Sequence, residues 1–360
     1  MVGRSLAVAL AVVASARIAH ADLDPCACSP NRPGFFRQDA LTGLWGGRRE
    51  TLRDAGFTAL LTYAGEVFTS SSSDVDPPAA IAGLAVLSLD ADLTKLVSEH
   101  LGAMHVTGLA IHGHGLSEQL MDVYGVSNNA ARPDVRLFEA WIEQPVKMLT
   151  IRAGLLAADQ EFVLAKHGTA LLNATFGIIS QLPTIVPGPV YPVAAPGVSV
   201  RAELPHALVR GAIYDGDQLN SHGIPSELGD DAFMIGEVEL ENTVKLGAWH
   251  HTDHRNGAYA IVDRQLDRYI GAFTRAGVSP HQAVDLYIDT GIRIGPGPLR
   301  ERDFASLGLA FARTPNGAQT ALEATYQLQV GWFTFQPDFQ LLLLRERTVA
   351  VMAARVVIVL

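Results

Sequence analysis

Cysteine is nearly absent: 360 residues contain only Cys26 and Cys28. One residue separates them, so in extended chain their side chains point apart and a disulfide between them would be strained. Leu23-Asp24-Pro25-Cys26 is also a poor lipidation box, with bulky and charged residues at its small-residue positions, and both thiols read as incidental. Basic charge is short as well. Lys and Arg number 27 against 37 Asp and Glu, giving a formal net charge of −10. Phosphate backbones demand a concentrated basic surface, so nucleic acid is not an expected partner. Beyond the first segment, no stretch approaches the roughly eighteen apolar residues of a helical membrane span. Yet 48% of the residues are apolar and only 18% charged. An exported chain of that composition needs either a large core or an outer surface facing lipid.

Export is what the first residues suggest. Arg4 precedes an apolar run from Leu6 to Ala14, and small residues follow up to Ala19-His20-Ala21. That order is the charged, apolar and A-x-A pattern of a secretory signal, here residues 1–21, with cleavage expected before Asp22 and a second candidate site at Ala14-Ser15-Ala16. The run is too short to cross a bilayer as a helix.

Further along, short segments alternate in character. From Thr320 to Val330, Leu322, Ala324, Tyr326, Leu328 and Val330 fall on one side, and Ala321, Glu323, Thr325, Gln327 and Gln329 on the other. A period of two is that of a β-strand. Phe57, Ala59, Leu61, Tyr63 and Val67 oppose Thr58, Thr62 and Glu66 in the same way. Leu87, Leu89, Ala91 and Leu93 oppose Ser88, Asp90, Asp92 and Thr94; Val284, Leu286, Ile288, Ile292 and Ile294 oppose Asp285, Tyr287, Asp289 and Arg293. Several acids on one face of a strand are cheap only where water reaches that face. A sheet apolar outside and wet within is the membrane-barrel pattern.

Between the strands lie polar or proline-rich connections: Thr69 to Ala79, Gly177 to Gly197 with five prolines, Asp215 to Asp230, and Gly295 to Asp303. Leu44 to Ala55 alone resembles a surface helix, with Leu44, Arg48 and Leu52 on one face. Residues 22–55 are expected to form a periplasmic segment holding that short helix, and residues 56–360 the barrel.

His250, His251, Asp253 and His254 are the densest set of potential metal ligands. Zinc needs three or four converging donors, whereas adjacent strand residues point to opposite faces and Asp253 to Gly257 reads as a turn. No bound ion is expected there. His112 and His114 share a strand face but lack a third ligand. Asp159 and Glu161 offer a carboxylate pair for glycoside chemistry, with nothing that fixes their separation. No nucleophile elbow or phosphate loop occurs, and no cofactor is implied.

A different grouping is more suggestive. Parity places Glu139, Trp141 and Glu143 on a wet face, with Phe138, Ala140 and Ile142 outward. Arg152 takes the wet face of the next segment, and the short Gln144 to Lys147 turn makes the two a hairpin. Arg136, Asp159 and Glu161 lie close by in sequence. An aromatic ring stacks on the C–H face of a sugar while charged groups bind its hydroxyls. A plain charge ladder across neighbouring strands accounts for the same pattern.

These segments also carry a family likeness. LTGLWGGRRETLRDAGF (41–57), YAGEVF (63–68), ARPDVRLFEAWIEQ (131–144) and GLLAADQEFVLAKHGTALLNATFG (154–177) resemble the OprB-type carbohydrate-selective porins. The likeness continues in order through YPVAAPGVSVRAE, KLGAWHHT, FTRAGVSP and FQPDFQ. It implies an all-β fold, a transmembrane antiparallel barrel of about sixteen strands with a short N-terminal helical segment. About 340 mature residues would give roughly twenty per strand and connection, which suits porin geometry. The chain departs from the family in its Leu-Leu-Leu-Leu-Arg-Glu-Arg-Thr run after Gln340, which leaves a short last hairpin, and in ending on Leu360 rather than an aromatic residue.

The resemblance further implies a passive outer-membrane pore for small carbohydrates and no enzyme. Its partners would be sugars, outer-membrane lipid and the barrel-assembly machinery. The candidate sugar contacts are Arg136, Glu139, Trp141, Glu143, Arg152, Asp159 and Glu161. An exported β-rich hydrolase using metal or carboxylates, and a closed structural barrel, are the alternatives.

Overall fold

The computed structural model describes residues 38–73, 75–185, 188–217, 229–296 and 302–360. The signal segment and both cysteines lie outside these, as do parts of the 215–230 and 295–303 connections. A short helix, α1 (Arg48–Asp54), lies inside the expected helical stretch. None of its residues is buried, and Leu44 and Leu52 are exposed, so the anticipated apolar face has no partner among the described residues. Arg49 instead donates to the carbonyl oxygen of Leu360 at 2.9 Å, which ties α1 to the C-terminal rim.

Sixteen antiparallel strands follow and close into a barrel. The first five are β1 (Phe57–Ser70), β2 (Ala79–Asp92), β3 (Ala103–Gly113), β4 (Asp134–Val146) and β5 (Leu149–Leu156). Then come β6 (Ala195–Leu204), β7 (Ala207–Asp215), β8 (Ala232–Leu240), β9 (Val244–His251), β10 (Arg255–Gln265) and β11 (Ile270–Val278). The last five are β12 (Leu286–Ile294), β13 (Phe304–Thr314), β14 (Gly317–Val330), β15 (Phe333–Leu343) and β16 (Thr348–Val359). Each strand pairs with its sequence neighbours, and β1 pairs with β16 in the register Thr62↔Val359 to Ser70↔Val351. Closure removes every sheet edge, which is what allows strands to cross a bilayer without unpaired backbone groups. Among the described residues no helix is long and apolar enough to cross a membrane.

Parity holds in most strands. Along β14 the buried positions are Ala321, Glu323, Thr325 and Gln327, and the more open ones Leu322, Ala324, Tyr326 and Leu328. The outer wall carries exposed Leu61, Leu87, Leu307, Leu309, Leu322 and Phe339. The run after Gln340 extends β15 to Leu343, and residues 344–347 turn the chain into β16.

Connections differ between the two ends. On the side of the termini most are tight, as at 147–148, 205–206 and 241–243, where Glu241 and Asn242 both adopt the positive φ of a tight hairpin turn. On the other side stand 114–133, 157–194 and 216–231. Short turns at one rim and long loops at the other is the asymmetry of outer-membrane barrels.

Four expected placements change. Leu93 and Thr94 leave β2 for a helical turn, residues 93–96. Val284 precedes β12 and is fully buried within the barrel rather than facing outward. Phe138 also turns inward, packing with Leu84, Val86, Leu109 and Ile111. A bulge causes this: Thr107 pairs with Glu139 but Gly108 with Leu137, so Phe138 is the extra residue and parity slips by one. Finally, the inside is not uniformly wet, because the 157–194 connection folds into it.

Candidate pore lining

The 157–194 connection is held inside the barrel by apolar packing and by polar contacts to the wall. Phe162, Leu171, Leu172, Phe176, Ile179 and Leu182 are fully buried. Each is worth about 1.5–3 kcal/mol on removal from water. They meet a wall of Phe273, Tyr287, Ala310, Ala312 and Ala321, inward residues of β11 to β14. Glycine supplies the room: a Cβ at Gly308 would come within 2.6 Å of the Phe176 ring, and one at Gly271 within 1.8 Å of the His167 ring.

Polar groups fasten the same stretch. Glu323 accepts from the backbone N–H groups of Leu172 and Asn173 at 2.5 and 2.9 Å, and Gln336 donates to the Ala170 carbonyl at 2.7 Å. His167 Nδ1 meets Asp263, and its Nε2 lies 3.0 Å from Gln265. The Asp263 hydrogen bond raises the His167 pKa above its ordinary value against the opposing effect of burial.

The 114–133 connection leans on this one, with Asn128 N–H donating to Leu172 O and Ala174 N–H to Gly125 O, both at 2.7 Å. Its Ser127 and Asn129 bind Glu66 at 2.5 and 2.9 Å, and Glu66 also pairs with Arg355. Burial raises the Asp122 carboxyl, partly offset by the N–H groups of Gly125 and Tyr124. Burial, with the Glu66 charge adding to it, pushes the Tyr191 phenol up.

The other side of the lumen is charged. The β4–β5 hairpin forms, with its turn at 147–148 rather than at the expected Gln144 to Lys147, in the register Glu143↔Arg152 and Trp141↔Gly154. Arg152 donates to Glu143 at 2.7 Å and lies 3.9 Å from Glu161, which accepts from Ser199 at 2.7 Å. Arg136 bonds Asp134 at 2.7 Å and the Pro192 carbonyl at 3.0 Å. Glu139 accepts from the Ala157 N–H at 3.2 Å, and Asp159 from the Tyr191 N–H at 3.2 Å. All seven expected residues therefore gather on β4, β5 and the start of the infolded connection.

Trp141 differs from expectation. Its ring stacks on His105 at 4.9 Å between centroids, and the Arg152 guanidinium lies over it at 3.9 Å. His105 is fixed in turn by Asp90 and Thr107, each at 2.6 Å. A ring so flanked, 8% exposed, is not an open sugar platform. It holds Arg152 by a cation–π contact instead. Asp159 and Glu161 are likewise tied into separate hydrogen bonds.

Sequence reasoning missed the neighbours that continue this surface. Arg201 and Arg210 sit opposite each other on β6 and β7, and Lys245 lies on β9. Arg210 pairs with Glu237 and Glu239, and Lys245 lies 3.7 Å from Glu239. Arg201 is looser: its Nε is 3.7 Å from Glu203, and no hydrogen-bond partner for it exists among the described residues. The alternation Ser199, Arg201, Glu203 within YPVAAPGVSVRAE is the signal that places it inward. The histidine expectations resolve simply. His250 faces out and His251 in, on either side of β9, and His251 bonds the Gly216 carbonyl at 2.8 Å. His112 is outward beside Tyr63 at 3.0 Å, and His114 lies past the end of β3. Among the described residues no group of three or more His, Cys, Asp or Glu could hold a metal ion.

A closed barrel of sixteen antiparallel strands, with a long connection folded into its lumen against one wall, is a porin-type fold. Residues 79–254, from β2 to the β9–β10 turn, match the model of the family "Carbohydrate-selective porin, OprB family". Two structures of OprB from Pseudomonas putida share the fold. The high-pH form has a TM-score of 0.80 at 16% identity, covering 91% of this chain and 100% of its own. The low-pH form has a TM-score of 0.59 at 18% identity, covering 90% and 99%. A mutant porin of Rh. blastica aligns with a TM-score of 0.53 at 9% identity, over 84% of this chain and all of its own. No curated protein matches the sequence.

Proposed function

We propose that this protein is a passive pore of the outer membrane that admits small carbohydrates. The observation that carries the proposal is the two-sided lumen. One wall is sealed by the infolded connection, while the facing wall presents Glu143, Arg152, Arg201, Arg210, Glu239 and Lys245. Diffusion requires no reaction, and the residues arrayed here bind and orient rather than transform. A sugar passing the charged wall exchanges water for charge-assisted hydrogen bonds to guanidinium and carboxylate groups. Arg201, the least committed guanidinium, supplies the first of these, and Arg152, steadied by Trp141 and Glu143, the next. Release demands weak contacts, so about millimolar affinity is the useful range.

In this proposal residues 1–21 direct export and the termini face the periplasm, as the tight turns at that rim support. The leucine-rich outer wall meets outer-membrane lipid, and the assembly machinery inserts the barrel. Single-channel recording in a planar bilayer tests the proposal. The expected result is a steady ohmic current that neutral sugars reduce in a saturable way. A barrel with no current, or a current indifferent to every sugar, would reject it.

A further inference from the structure

Building on that pore assignment, we infer that Arg275 is a positioning residue which, from the sealed wall, sets where the infolded connection stands in the conducting gap. Arg275 on β11 and Asp289 on β12 have fully buried side chains. The guanidinium Nε donates to both Asp289 oxygens at 3.1 Å, and Nη2 to Asp289 Oδ2 at 2.5 Å. The remaining donors point at the connection: Nη2 reaches the Thr175 carbonyl at 2.6 Å, and Nη1 reaches those of Val163 and Gly177 at 3.2 and 3.4 Å. Asp289 neutralises the charge, so what the guanidinium adds is its planar fork of donors.

The three carbonyls lie at the two ends of the stretch 163–177, so one side chain closes that stretch on itself. Its middle is fastened separately, by Asp263 at His167 and by Glu323 at Leu172 and Asn173. Loss of Arg275 therefore uncouples the two ends from each other, leaving the Val163 N–H on Glu237 at 3.0 Å and the Thr175 hydroxyl on Tyr287 at 2.7 Å while the middle stays tethered. The end at Val163 matters most, because Glu161, two residues before it, faces Arg152 and Ser199 on the charged wall. A residue with no exposure to the lumen thus governs the placement of a carboxylate that lines it.

The test is single-channel recording on the full-length wild type, Arg275→Gln and Arg275→Lys, with folding confirmed by heat-modifiable electrophoretic mobility. Both variants are expected to show several-fold more open-channel current noise, an altered conductance and several-fold weaker block by sugar. Arg275→Lys should fail to rescue, since an ammonium group cannot span the three carbonyls. A purely architectural residue would lower the unfolding midpoint yet leave folded, inserted channels with wild-type noise and block. That result overturns the inference alone. Failure of both variants to form a barrel would make Arg275 a determinant of the fold, and would overturn it too. A wild-type barrel that does not conduct would instead reject the pore assignment beneath it.

Discussion

From β11 to β14 the inward residues Phe273, Tyr287, Ala310, Ala312 and Ala321 lie buried beneath the 157–194 connection. From β4 to β9 the inward residues nearest the termini include Glu143, Arg152, Arg201, Arg210, Glu239 and Lys245. Both sets belong to one sheet of one period, yet they obey different rules. On the sealed side a charge persists only when fully bonded, as Arg275 is with Asp289 and three carbonyls. On the charged side, paired groups coexist with a guanidinium as loosely held as Arg201. The lesson is that the lumen is an apolar core along one wall and a surface of paired charges along the other.

The largest expected effect lies on the sealed side. Phe176 is fully buried and packs edge-on against Phe273 at 6.2 Å. Phe176→Ala should destabilise the protein by about 3–5 kcal/mol in urea unfolding from detergent. A loss below about 1 kcal/mol would show that this wall is wet after all.

The outer wall offers the next test. Leu322 sits near the middle of β14, whereas Leu328 lies two residues from its end. Leu322→Arg should cost about 2–4 kcal/mol and Leu328→Arg clearly less, because the cost of a lipid-facing charge falls toward the interfaces. Equal tolerance at both sites, in equilibrium unfolding from lipid, would contradict the assigned lipid face.

On the charged side, Arg201→Ala should change stability by no more than about 0.5 kcal/mol. It should nevertheless raise the sugar concentration needed to block the current. Unchanged block would move the solute path away from β6.

The smallest effect is a pH dependence. His167 has a raised folded pKa, so its clamp on Asp263 is fully present below the unfolded value, near 6.5. It weakens as pH rises through the folded value. Current noise should therefore grow on the alkaline side in wild type, and this trend should vanish in His167→Gln. Arg293 and Gln265 face the same ring and are the groups that modulate it.

The strands were legible because period two is written directly in residues such as Leu322 to Val330. The gathering of Glu139, Glu143 and Arg152 was legible because a two-residue turn leaves one hairpin register. Phe138 was not, since a bulge shifts parity without any mark in composition. The sealed wall was hidden for another reason. Inward alanines and glycines such as Gly308 and Ala310 look neutral on either face, and only the residues packed on them, Phe176 and Leu171, reveal their role. Trp141 looked like an open platform because His105, which covers one face, lies on the neighbouring strand β3.

Cysteine scanning with a membrane-impermeant thiol reagent examines the two-walled lumen most directly, in a background with Cys26 and Cys28 replaced by Ser. Single cysteines at Thr150, Arg201 and Glu203 on the charged wall should react quickly. Cysteines at Ala310, Ala312 and Ala321 on the sealed wall should stay unmodified in the folded barrel. Comparable labelling of the two sets would show a lumen open all round and contradict the account.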